Sequence, residues 1–379
     1  MRHDIVLEDT TLRDGEQAPG VAFRKEIKIK IFNALIDAGV KWIEPGIPAM
    51  KGEEVSTIQE MLERKNEVNL IGWNRGIKED ICYSLDLGFN AIHIGLPTSD
   101  KHLKGSVGKS AEWLVGTAKE LVKYAKDRGA FVSISAEDVG RTEIPFLQEY
   151  AIAVEEAGAD RLRLSDTIGV LSPEEYGRRV EAVSKVSSID TQCHCHNDFG
   201  LAVANTLAGL RAGAKYFHVC VNSMGERAGM PDLAQMTLAL KFLYGRDVGI
   251  RTTHLKALSD LVSLASNQPL PAWQPVVGEN VFAHESGIHV NGMLKDTSTF
   301  EPFPPEVVGN QRRYVIGKHS GRATLRNTLE EKGIIPRDDL LSMCLVKVRE
   351  VSTYQGGALT PEQLSNIYKN LQDEAEATP

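Results

Sequence analysis

Cysteine is scarce and unpatterned: the chain has five, and no two stand in a CxxC spacing. That argues against a disulfide scaffold or an all-cysteine zinc site and fits a reducing cytoplasm, where cysteines serve as small buried hydrophobes. Long apolar runs are absent too. None approaches the roughly 20 residues of a membrane span, so no membrane partner is expected. The opening stretch MRHDIVLEDT lacks the apolar centre of a signal peptide. Basic excess is missing: 43 Lys and Arg face 51 Asp and Glu, a formal net charge of -8. This makes nucleic acid an unexpected partner. No GxGxxG turn opens a helix, which weighs against a doubly wound dinucleotide-binding sheet.

What is present is a rhythm. DAGVKWIEPGIP (37–48), DLGFNAIHIGLP (86–97), EAGADRLRLSD (156–166) and RAGAKYFHVCVN (211–222) share one phrase: a helix end, a glycine, then a short apolar run. Glycine suits the left-handed position just past a helix, and short Ile/Val/Leu runs suit buried parallel strands. Strands are expected at 4–12, 41–47, 68–74, 90–96, 130–137, 160–166, 190–197 and 215–222, mostly separated by amphipathic helical stretches. Eight such units in about 250 residues predict a (β/α)8 TIM barrel over 1–266. The Pro-, Gln- and Asn-rich stretch NQPLPAWQPVVGEN (267–280) reads as a linker, and 267–379 as that linker plus a small, mostly helical C-terminal region. Its acidic tail DEAEATP is expected to fray.

Barrel chemistry sits at the C-terminal ends of the strands. Here those ends read DTTLRDGEQ, EPGIP, WNR, PTSDKH, SAED, SDTIG, HCHND and NSMGERAG. Charges converging on one rim are costly unless paired or metal-bound, so this phase points to an enzyme. Within TQCHCHND, side chains alternate faces, which puts His194 and His196 on one side and Cys193 and Cys195 on the other. The histidine pair is read as chelating one divalent ion, with the cysteines toward the outer helices. Simple hydrogen bonding of both histidines in the rim is the alternative. Asp14 is the candidate third ligand. Two imidazoles and a carboxylate suit Zn, Mn, Mg, Co or Fe(II). Arg13, beside it, is placed to stabilise an oxyanion on a carbonyl. Its bland alternative is a structural ion pair with Glu44 or Glu226.

DTTLRDGEQ, HCHNDFGLAVANTLAGLRAGA, GERAG and VIGKHSGR together resemble the homocitrate synthase and isopropylmalate synthase family, the metal-dependent TIM-barrel group that also includes HMG-CoA lyases. PGIPAM, HIGLPTSD, SAED, HESGIHVNGMLKD and FEPFPPEVVG most resemble its short, nitrogen-fixation homocitrate synthases. The resemblance implies a Claisen condensation of acetyl-CoA with a 2-oxo acid, and it carries roles onto matching positions. Asp14, His194 and His196 become metal ligands, and Arg13 the carbonyl activator. Gln17 and Glu44 shape the substrate pocket, and Thr167 holds the 2-oxo acid carboxylate. Glu137 and His289 form the acid–base group, His289 being delivered from the C-terminal region of a neighbouring subunit in a homodimer. Gly225, Glu226 and Arg227 line the rim near the acyl-CoA; a loop that merely braces the barrel is the alternative.

Three positions depart from the family pattern. Met230 stands where many members have an Asn in the metal shell, and Phe300 where a Tyr is usual. Lys104 and Ser106 occupy the segment that holds the far carboxylate, where an Arg-x-Ser is the eukaryotic pattern. Lysine is a point charge and arginine a planar fork. A dianionic substrate is therefore expected: 2-oxoglutarate first, with phosphonopyruvate (as in a 2-phosphonomethylmalate synthase) or oxaloacetate as alternatives. An HMG-CoA lyase is disfavoured, because GERAG replaces the lyases' cysteine loop. Intact ligands disfavour a non-catalytic paralogue. The chain is too short for the extra regulatory domain of larger isopropylmalate synthases, so feedback control through one is not expected.

Overall fold

The computed structural model describes residues 1–377. Eight parallel strands close into a barrel, each hydrogen-bonded to the next and β8 to β1. They are β1 (Val6–Asp9), β2 (Trp42–Ile43), β3 (Asn69–Arg75), β4 (Ala91–Gly95), β5 (Phe131–Glu137), β6 (Arg161–Asp166), β7 (Asp190–Cys195) and β8 (Tyr216–Val219). After them in turn come α1 (Lys25–Asp37), α2 (Gly52–Leu62), α3 (Lys78–Leu87), α4 (Ala111–Asp127), α5 (Ile144–Glu156), α6 (Pro173–Ser184), α7 (Ala202–Arg211) and α8 (Leu233–Tyr244). This is the TIM barrel expected from the repeat. The glycine of each repeated phrase has positive φ: Gly39 at 99°, Gly88 at 104°, Gly158 at 97° and Gly213 at 114°. At Gly39 space is limiting as well, since a Cβ would stand 2.4 Å from the Gly249 carbonyl oxygen.

Local signals start the helices. Ser110 accepts from Trp113 N at 3.2 Å before α4. Ser172 accepts from Glu175 N before α6, whose first residue is Pro173. Asp232 accepts from Gln235 N at 2.8 Å before α8. Each satisfies an amide that the first helical turn leaves unpaired.

The apolar core is the sleeve between strands and helices, supplied by outward residues such as Ile92, Ile94, Val132, Ile134, Leu162 and Leu164, all buried. The barrel lumen is polar. At its lower end the Arg161 guanidinium lies over the rings of Trp42, Phe131 and Tyr216, 4.8–5.7 Å from their centroids. It reaches across the lumen to Glu8 at 2.6 Å. Buried charges of this kind persist only when paired, and removing one partner of such a pair typically costs about 3–5 kcal/mol.

The chain divides into two compact units, Met1–Leu270 and Pro271–Pro379. The first ends with α9 (Leu255–Ser266). The second holds two paired short strands, β9 (Ala283–His284) and β10 (Arg313–Tyr314), and helices α10 (Gly287–Met293), α11 (Arg322–Glu331), α12 (Asp338–Gln355) and α13 (Pro361–Ala377). Leu325, Leu329, Leu341, Val348, Leu364 and Tyr368 form its core. The acidic tail through Ala377 forms the last turn of α13. Thr378 and Pro379 lie outside the described residues. Among the described residues no helix is long and apolar enough to cross a membrane.

Candidate active site

The strand ends surround a cavity of about 180 Å³, lined by Arg13, Asp14, Gln17, Trp73, His93, Glu137, Arg163, Ser165, Thr167, His194, His196 and Glu226. Strand alternation in β7 turns His194 inward and carries His196, one residue past the strand, to the same place. Their Nε2 atoms are 3.4 Å apart, and His194 Nε2 is 3.6 Å from Asp14 Oδ2. Cys193 and Cys195 face the helices. Cys193 sits so close to α7 that a Cβ on Gly209 would stand 2.5 Å from its sulfur. Burial raises both thiols, Cys193 to about 12. They are therefore poor sources of the thiolate that metal binding needs.

Asp14, His194 and His196 each present one ligand atom, mutually within 4.8 Å. Asp14 Oδ1 is buried with no hydrogen-bond partner. An orphaned carboxylate oxygen beside two converging imidazole nitrogens is what a divalent cation would satisfy. Burial lowers the pKa of both histidines, which keeps them in the neutral, ligating form. The residues present fit the metal.

Arg13 is gripped from two sides. Nε donates to Glu44 Oε2 at 2.6 Å, and Nη1 donates to Asp14 Oδ2 at 2.8 Å and to Gln17 Oε1 at 3.2 Å. Among the described residues its Nη2 has no hydrogen-bond partner. Burial alone would lower the Arg13 pKa, but Glu44 and Asp14 outweigh it and the net shift is upward. Glu44 also pairs with Arg163, the partner that sequence reading missed. Burial would raise its carboxyl, yet Arg13 and Arg163 hold it well below the usual range. Glu44 thus stands beneath the cavity, bracing two guanidiniums that line it.

Thr167 Oγ1 accepts from Asp138 N at 2.8 Å and donates to the Ser165 carbonyl oxygen across a long 3.4 Å. Burial raises the Glu137 carboxyl above its ordinary value. Gly225 has φ 154°, and a Cβ there would meet Asp14 Oδ1 and Met230 Cγ at 3.1 Å. Met230 is fully buried beside that glycine and fills the place with an apolar side chain. Arg227 donates to Asp198 Oδ1 at 2.8 Å and to the Thr167 carbonyl at 2.6 Å. These bonds tie it to the rim, with its side chain still partly exposed.

The structure does not bring Lys104 and Ser106 into the cavity. Their segment folds as a helical turn at the rim, Leu103–Val107, and both residues are exposed. Lys104 Nζ bonds Asp100 in solvent at 2.6 Å, and neither residue lines the cavity. His289 belongs to the second unit, where it is exposed and stacks on Phe300 with centroids 4.0 Å apart. Besides Arg163, the sequence reading missed Trp73, His93, Ser165, Glu8 and His218. A usable signal was the pair of arginines in RLRLSD: charged residues every second position in an otherwise apolar strand share the inward face.

An HMGL-like family model matches residues 4–262, and a homocitrate synthase post-HMGL domain-like model matches 276–356. The chain belongs to the HMGL-like family. It is 64% identical to the 2-phosphonomethylmalate synthase of Streptomyces rubellomurinus, over 97% of this chain and 99% of that protein. It is 42% identical to 2-isopropylmalate synthase 2 of Caldanaerobacter subterraneus, over 97% of this chain and 96% of that one. With homocitrate synthase 1 of Nostoc sp. it shares 41% identity, over 96% of this chain and 97% of that one. Among solved structures, the HMG-CoA lyase of Bacillus subtilis superposes with a TM-score of 0.65 at 18% identity, covering 72% of this chain and 97% of that one. That likeness concerns the barrel fold alone. As a member of this family the chain is a metal-dependent, acyl-CoA-condensing enzyme.

Proposed function

We propose that this enzyme condenses acetyl-CoA with phosphonopyruvate, water then releasing free CoA and 2-phosphonomethylmalate. The observation that carries this reading is the 64% identity to a 2-phosphonomethylmalate synthase across nearly all of both chains. The isopropylmalate and homocitrate synthases stand near 42%. This supports phosphonopyruvate, the alternative, over 2-oxoglutarate, the first expectation. The cavity agrees with a small, strongly anionic substrate. Arg13, Arg163, Gln17, Ser165 and Thr167 line it, and its largest apolar surface is Trp73. A branched aliphatic 2-oxo acid would leave those donors unpaired.

Asp14, His194 and His196 would hold the divalent ion, which when bound supplies Lewis-acid polarisation of the substrate ketone. Arg13 offers its unpartnered Nη2 to the oxyanion that develops there. Because Glu44 and Asp14 fix the guanidinium beforehand, little reorganisation accompanies the reaction. Thr167 turns its hydroxyl from the long bond to the Ser165 carbonyl and donates to the substrate carboxylate. Glu137, whose carboxyl burial holds above its ordinary value, moves the proton at that carboxyl during carbon–carbon bond formation. His289 acts with it, delivered by the second unit of a partner chain.

The test is a panel of 2-oxo acids offered with acetyl-CoA and a divalent metal, following thiol release and product mass. Phosphonopyruvate should give the highest kcat/KM. If 2-oxoglutarate or 2-oxoisovalerate exceeds it tenfold, the substrate assignment is wrong.

A further inference from the structure

Directly beneath the cavity two buried side chains with no role in the reaction as proposed, Glu8 and His218, form a chain that ends on His194. Glu8 on β1 and His218 on β8 stand side by side in the strand register. His218 Nε2 is 2.7 Å from Glu8 Oε1. The other ring nitrogen, Nδ1, is 2.7 Å from Nδ1 of His194. Glu8, His194 and His218 are all buried.

Hydrogen-bond logic fixes where the protons sit. An ionised carboxylate only accepts, so His218 Nε2 must carry a hydrogen. Two nitrogens at 2.7 Å share one hydrogen between them, since two would collide and none would leave two lone pairs opposed. A neutral His218 has spent its hydrogen on Glu8, so its Nδ1 accepts and His194 Nδ1 donates. The neutral His194 ring then has its lone pair on Nε2, the atom that faces Asp14 and His196. A cationic His218 would reverse the bond and place a hydrogen on His194 Nε2, where no ion could bind. Charge balance disfavours that state, because Arg161 and Arg163 already pair with Glu8, and Arg163 with Glu44.

Glu8, Glu44 and His218 also converge closely enough to resemble a second metal cluster. The same two arginines exclude it: their guanidiniums occupy the carboxylate oxygens that a cation would need.

We infer that Glu8 and His218 are positioning residues that lock His194 in the Nδ1–H tautomer and so aim its Nε2 lone pair at the metal site. This rests on the reading of Asp14, His194 and His196 as ligands. Partners behind a ligating histidine typically contribute 10–100-fold in metal affinity.

Two measurements test it, and neither uses turnover. First, ring-¹⁵N-labelled histidine spectra of the metal-free wild-type protein, with the His194 signal assigned by its loss in His194→Asn, report the tautomer. Nδ1–H on His194 supports the inference and Nε2–H overturns it, whatever the fate of any variant. Second, Zn²⁺ affinity is measured by competition with a chromophoric chelator. His218→Leu should bind Zn²⁺ about 10–100-fold more weakly. His218→Gln, whose amide can donate to Glu8 and accept from His194, should recover most of the loss. A folded His218→Leu with wild-type affinity overturns the inference, provided His196→Ala has lost the ion. If His196→Ala also binds as the wild type does, the metal assignment falls and this inference with it.

Discussion

Arg13 and Glu44 meet under the cavity through a 2.6 Å bond from Nε to Oε2, and Glu44 is fully buried. The carboxylate has no water to turn to, so it holds the guanidinium in one orientation. Arg13→Lys keeps the charge but cannot span Glu44 and Asp14 together, because an ammonium is a point donor. It should lower kcat by about 10²–10³-fold with a small change in KM, the pattern of a lost transition-state donor. Steady-state kinetics on the favoured substrate decide; a pure KM effect would assign Arg13 to ground-state binding.

For the metal, His196→Ala should purify without its divalent ion, whereas Cys193→Ala and Cys195→Ala should retain it. Elemental analysis after dialysis distinguishes them. The sulfurs face α6 and α7, so metal content that followed the cysteines would contradict the orientation of β7.

Lys104→Ala should alter KM for the 2-oxo acid by less than about threefold, since Lys104 is exposed and paired with Asp100, and such surface pairs contribute little. A tenfold rise in KM would mean that the segment 100–107 folds down onto the substrate during the cycle.

Asp9 gives a pH prediction. Burial raises its carboxyl to about 7, against an ordinary 3.8, despite two hydrogen bonds from Thr11. The folded protein keeps a proton that the unfolded chain has already released. The group's contribution to stability is therefore whole below about 3.8 and is lost as pH rises to about 7. Asp9→Asn carries no ionisable group there, so its stability relative to wild type should improve between pH 4 and pH 8. Urea unfolding at the two pH values measures this. An unchanged gap would show that Asp9 is ionised throughout.

If His289 acts across a dimer, inactive His289→Ala and inactive Asp14→Ala proteins, refolded together, should regain activity, because each mixed dimer holds one intact composite site. Mixed dimers isolated through two different tags, yet as inactive as their parents, would place His289 in its own chain's site or outside catalysis.

The sequence by itself determined the barrel, because its evidence is local. After four of the helices a glycine and then a short apolar run recur, and the remaining apolar runs keep the spacing that βα units produce. It determined the facing of His194 and His196 as well, since alternation along one strand needs no knowledge of the neighbours. Asp14, Arg13 and Thr167 were legible as strand-end residues by the same phase. Tertiary structure alone decided which charges neutralise one another. Glu8 pairs with Arg161 across 153 positions, and Arg163 with Glu44 across 119, because barrel closure and stagger bring those strands together in the lumen. It alone also decided the fate of Lys104. Its place after β4 puts it on the rim, but whether a rim side chain turns toward the cavity or toward water depends on how the connecting segment coils. Here a helical turn gives Lys104 an Asp100 partner in solvent and leaves the cavity's cationic donors to Arg13 and Arg163.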